Sequence, residues 1–162
     1  MNQQILEAKQ SVVSEIVEKA KASQSLTVVE YRGLSVAQLQ TLRRALREEG
    51  AEVCIYKNSL AERAAKELGA EGLTEYLSGP NALVFSKEMS NGPKVLAKYS
   101  KRFGENLKIK GGLVEASVLD SKGMVEIAKM PGREGLLSMF LSCLQAPIRQ
   151  FACTVKAVAD AK

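Results

Sequence analysis

Two short stretches of this sequence join a cation to a point where the backbone can be approached closely. In "EYRGLS", Arg32 can fork onto two phosphate oxygens, and Gly33 lets another surface come near the main chain. In "YKNSL", Lys57 and Asn58 stand before a helix start, whose free N–H groups and dipole favour an anion. A third cluster, "LRRALRE", offers Arg43, Arg44 and Arg47 for gripping a charged backbone. The chemistry common to all three is phosphate neutralisation. Each also has an ordinary structural explanation: a tight turn, a plain helix cap, and a solvated helix face paired with Glu48 and Glu49.

A different chemistry stands at the far end, in "APIRQFACTVKAVADAK". Ile148, Phe151, Ala152, Val155, Val158 and Ala159 share one stripe of a helix, with Pro147 in front. Such a stripe either folds onto its own core or is covered by another protein.

The rest of the composition narrows the function. The 162 residues carry 23 basic and 18 acidic side chains, a net charge of +5, which leans mildly towards an anionic partner. There is no histidine, and no GxxxxGK[ST] loop or GxSxG elbow, so no catalytic, metal or cofactor site assembles. Four Tyr, four Phe and no Trp, without a stacking motif, disfavour single-stranded base recognition and suit a folded RNA read by its backbone. No apolar run approaches the ~18 residues of a membrane span. "MNQQILEAKQ" lacks the apolar centre of a secretory signal, and three cysteines without CxxC spacing suit reduced thiols, so a cytoplasmic protein is expected.

The elements that must position these residues alternate in type. An opening helix places Ile5, Val12, Val13, Ile16, Val17 and Ala20 on one face. "LTVVEYR" and "AEVCIY" read as strands, each leading through a polar loop into a helix. Ser35 with Gln38, and Ser59 with Glu62, have capping-box spacing; Gly50 and Gly69 suit left-handed helix stops. "SGPNALVFS" reads as a turn and strand, and Pro93 suits the first turn of the next helix. "LKIKGGLVEASVLD" reads as one strand bent at Gly111-Gly112, followed by a short helix. The pattern predicts an α+β fold with an α/β-type layer: a globular body over residues 1–131 with a mixed sheet flanked by helices, then a hinged helical arm. Residues 132–147 are expected to form the connecting helix and hinge, and 148–162 the last helix, because proline breaks the helical ladder. If the first two strands run in parallel, Arg32 and Lys57 emerge at one edge of the sheet.

These motifs resemble those of the bacterial large-subunit ribosomal protein L-ten family. The resemblance rests on Arg32-Gly33-Leu34-Ser35, Leu39, Leu42-Arg43 and Lys57-Asn58-Ser59-Leu60. It continues through "SGPNALVFS" and "MPGREGLLSMFLSCLQAPIRQF", covering essentially the whole chain in order. Ser59 stands where the family usually has threonine, and Gly132 where it often has a capping serine. The likeness implies a non-catalytic, ribosome-associated protein that binds large-subunit ribosomal RNA at the stalk base, beside a protein of the L-eleven family. It implies that the last helix carries dimers of the acidic stalk protein (the L-seven/L-twelve family), which recruit translational GTPases, and that the chain represses translation of its own messenger RNA. Carried over by position, Arg32, Gly33, Arg43, Lys57 and Asn58 become RNA contacts. Ile148, Phe151, Ala152, Val155, Val158 and Ala159 become the stalk-protein seat. The alternative is a free-standing RNA-binding regulator of translation.

Overall fold

The computed structural model describes residues 3–115 and 117–160, without the side chains of residues 3–6, 71 and 105. The expectation for the Ile5 side chain therefore lies outside the described residues. The chain forms α1 (Gln3–Ala22), β1 (Ser25–Glu30), α2 (Val36–Glu48), β2 (Ala51–Cys54), α3 (Asn58–Glu67) and a 3-10 segment (Glu71–Leu77). It continues with β3 (Asn81–Ser86), α4 (Asn91–Phe103), β4 (Lys108–Val114), β5 (Ser117–Asp120), α5 (Ser121–Lys129) and α6 (Arg133–Asp160). These fall into two compact units, Met1–Met130 and Pro131–Lys162.

The first unit is α+β. Its five strands lie in the order β2-β3-β1-β4-β5, and every neighbouring pair is antiparallel, so the sheet is not mixed as expected. The reason is β3. It is inserted between β1 and β2 and opposes both, so these two strands run the same way without pairing. Helices cover both faces, which is why β3 is buried at all six positions. Leu83 and Phe85 join Val13, Ile16, Leu73 and Leu77 on the face under α1, α3 and the 3-10 segment. Ala82 and Val84 face the other way, with Leu42 and Leu46 of α2 and Leu96 of α4.

Local signals set most boundaries. Ser35 and Gln38 close the expected capping box reciprocally, at 2.9 and 3.3 Å. The box expected from Ser59 and Glu62 does not form, because the Lys57 carbonyl already accepts from the N–H groups of Leu60 and Ala61. Helix α3 thus starts two residues early, with Ser59 inside it. The long strand expected over "LKIKGGLVEASVLD" is instead the hairpin β4–β5. It turns at Glu115, whose φ of 46° is left-handed, while Ala116 lies outside the described residues. Beside the glycine pair, β4 carries a bulge at Lys110. A Cβ on Gly111 would sit 3.2 Å from the Tyr76 ring, and one on Gly112 2.5 Å from the Leu26 carbonyl oxygen, so both make room for neighbours.

In the second unit, α6 runs unbroken through Pro147, where two helical pieces were expected. Among the described residues, no helix is long and apolar enough to cross a membrane.

Candidate macromolecular interfaces

Because β1 and β2 run the same way, the loops that follow them leave the sheet at one end. Tyr31 to Leu34 form a turn in which the Leu34 N–H donates to the Tyr31 carbonyl at 3.3 Å. Gly33 takes a φ of 89° there, as the third position of a type II turn requires. The chain reaches β3 at this same end through Ser78-Gly79-Pro80, and the start of β4 lies there too, since Lys108 faces Glu30 across the ladder.

Three contacts lace these loops into a row. Asn58 Nδ2 donates to the Gly79 carbonyl at 2.9 Å. The Tyr31 N–H donates to the Pro80 carbonyl at 3.4 Å. Gly33 lies so close to Asn106 that a Cβ would stand 2.9 Å from its Oδ1. The order along the sheet end is Lys57, the Gly79-Pro80 turn, Arg32-Gly33, then Lys108. At about 4.8 Å per strand the row spans roughly 14 Å. Arg32, Lys57 and Lys108 are exposed and form no ion pair or hydrogen bond through their side chains among the described residues. Uncommitted cations on tethered loops can neutralise a phosphate backbone without first breaking internal bonds.

The five proposed phosphate-contact positions do not all share this row. Arg32, Gly33, Lys57 and Asn58 do, although Asn58 commits its amide to Gly79 and so acts as a tether. Arg43 sits seven residues into α2, about 10 Å along the helix axis from Val36. It is half-buried, and its Nε has no partner among the described residues. Sequence reasoning passed over Lys108, Asn106 and the Gly79-Pro80 turn, because only antiparallel pairing brings them to the row. A second basic hollow, lined by Lys19, Arg47, Glu52 and Lys87, lies at the opposite end of the sheet. It suits an anion poorly: Lys19 is paired with Glu15 and Glu52, and the C-termini of α1 and α2 present carbonyls there.

Helix α6 is the other candidate interface. None of its residues is buried. Ile148, Phe151, Val155 and Val158 are 73, 72, 54 and 63% exposed, and Ala152 and Ala159 are exposed beside them. The stripe starts earlier than the sequence suggested. Leu137, Leu141, Leu144, Ile148, Phe151, Val155 and Val158 alternate in steps of four and three, the spacing of a coiled-coil seam. Leu137, Leu141 and Leu144 are 55, 58 and 61% exposed. Their membership was hidden by reading Pro147 as a boundary.

A row of uncommitted cations on laced loops, and a helix with an uncovered apolar seam, are surfaces suited to assembly with other macromolecules. The family model of ribosomal protein L10 matches residues 4–103, and that of the ribosomal protein uL10 C-terminal region matches residues 130–162. Large ribosomal subunit protein uL10 of Bacillus cereus is 50% identical over 159 residues, which is 98% of this chain and 95% of that one. The same figures hold for uL10 of Bacillus anthracis. The chain belongs to the ribosomal protein L10 family, that is, the uL10 proteins of the large ribosomal subunit. It is a structural protein of the ribosome and not an enzyme.

Proposed function

We propose that this protein binds large-subunit ribosomal RNA through the loop row of residues 1–131, with Arg32 and Lys57 on phosphates, and that α6 anchors dimers of the acidic stalk protein. In this reading the RNA site lies at the stalk base next to the L-eleven-family protein, and the anchored dimers recruit translational GTPases. In the same reading a messenger segment that imitates the ribosomal RNA fold competes for the same row, and the protein thereby represses its own translation.

The observation that carries the anchoring role is the seam on α6. Ten large apolar residues of this 28-residue helix are exposed, seven of them form the seam, and none of the seam positions is charged. An apolar helix face of this kind fits the helix-in-groove mode of protein recognition. The proposed seat covers Ile148, Phe151, Ala152, Val155, Val158 and Ala159, and extends back through Leu144, Leu141 and Leu137.

The mass of the intact complex between the full chain and the acidic stalk protein tests this. Leu141→Asp and Phe151→Asp should each reduce the bound mass, and the double variant should bind none, with RNA affinity unchanged throughout. A double variant that binds the full complement would place the anchor elsewhere. Arg32→Gln and Lys57→Gln should each weaken binding to a large-subunit ribosomal RNA transcript and flatten its salt dependence.

A further inference from the structure

We infer that the RNA surface extends onto β4, where Lys108 neutralises a third phosphate while Lys110 positions the Ser78–Pro80 turn without touching RNA. The inference rests on the RNA-binding reading above.

The two lysines are two residues apart but differently committed. Lys108 faces Glu30 in the ladder, is exposed, and has no side-chain partner among the described residues. Lys110 is the extra residue of a β-bulge: Val28 pairs with Gly111 and Val29 with Ile109, leaving Lys110 unpaired. The bulge aims its ammonium at the Ser78 carbonyl, 2.6 Å away, and at Glu30, 3.3 Å away. With a carboxylate already beside it, Lys110 has no charge left over for a phosphate.

Its effect is on the turn. The Ser78 carbonyl accepts from Lys110 Nζ and also from Asn81 Nδ2 at 3.0 Å, which fills both lone pairs. The Gly79 carbonyl accepts from Asn58. Residues 78–80 are exposed, yet three side chains fix them. Exposed backbone fixed from beneath loses little freedom when a partner lands on it. The turn lies between the Lys57 and Arg32 loops, so its position sets the spacing of the cations on either side.

The test measures binding of the full chain to a large-subunit ribosomal RNA transcript across a range of KCl concentrations. Lys108→Gln should reduce the slope of log K against log salt by about 0.7–0.9, a loss of roughly four- to five-fold in affinity near ~0.15 M salt. Lys110→Met should lower affinity equally at every salt concentration with the slope kept, and Lys110→Arg should restore it. Lys21→Gln, at the opposite end of the sheet, should change neither. An unchanged slope for Lys108→Gln, with Arg32→Gln and Lys57→Gln still flattening theirs, overturns the inference and leaves the RNA reading standing. If none of the three moves the slope, the RNA reading itself fails. Equal slope losses from Lys108→Gln, Lys110→Met and Lys21→Gln would show that total charge, not this geometry, controls binding, and would also overturn the inference.

Discussion

Phe151→Ala separates a side chain used by the fold from one reserved for a partner. Phe151 is 72% exposed. An aromatic side chain of this size buries about 150 Å² or more, so roughly 110 Å² is open for a partner to cover. At about 25 cal/mol per Å² that area corresponds to ~2–3 kcal/mol, or roughly a 30- to 150-fold rise in Kd for the acidic stalk protein. The free chain loses almost nothing, because little of the ring is sheltered there. Its Tm should therefore stay within about a degree. Gln150→Ala, one position away but off the seam, should change Kd by less than about three-fold. The assay is a calorimetric titration of each full-length variant, with a thermal melt of the free chain alongside. If Phe151→Ala lowers the Tm by several degrees and leaves Kd unchanged, the ring belongs to the fold and the seam argument fails.

Other consequences follow from the first unit. Thr27 is fully buried in the central strand and its Oγ1 has no partner among the described residues, so Thr27→Val should raise stability by about 1–2 kcal/mol in urea unfolding; a loss would mean that the hydroxyl is satisfied. Glu15 is held below the ordinary carboxylate value of 4.5, first by its bond to Lys19 and then by the Tyr56 hydroxyl at 3.0 Å. A depressed carboxylate contributes stability that is present above its unfolded value and lost as the pH falls through the lower folded one. Glu15→Gln should accordingly flatten the acid limb of the stability profile below about pH 4.5, and an unchanged limb would deny the pairing. Burial pushes the Cys54 thiol pKa up, whereas Cys143 and Cys153 are exposed, so a chromogenic thiol reagent should record two fast reactions and one slow. Three equal rates would refute the burial of Cys54.

What could be read from the sequence was what depends on near neighbours. The Ser35–Gln38 cap, the stops at Gly50 and Gly69 (φ of 73° and 71°) and the buried faces of α1 and α2 each follow from residues within two turns of one another. Strand direction does not. The unit β1–α2–β2 has the right order for a parallel pair, but nothing within it reports that β3 will slip between the strands and oppose both. The same limitation hid half of the loop row. Arg32 and Lys57 announce themselves beside helix starts, whereas Lys108 and the Ser78–Pro80 turn reach that end only through the register of β3 and β4 on β1. Glycine and proline misled where their usual meanings did not apply. Gly111 and Gly112 make room for Tyr76, Leu26 and Met124 beside the bulge at Lys110, and the chain reversal falls at Glu115, a residue type that rarely marks one. Pro147 removes one backbone bond from α6, yet the helix continues around it.

The period of the α6 ridge also has a geometric result. Apolar positions repeat every 3.5 residues while a straight helix turns every 3.6, so the line they trace creeps around the rod by about 20° per heptad. From Leu137 to Val158 it drifts through roughly 60°. Subunits settling one after another along that line would leave the shaft at different azimuths, splayed like successive leaves on a stem rather than piled on one side.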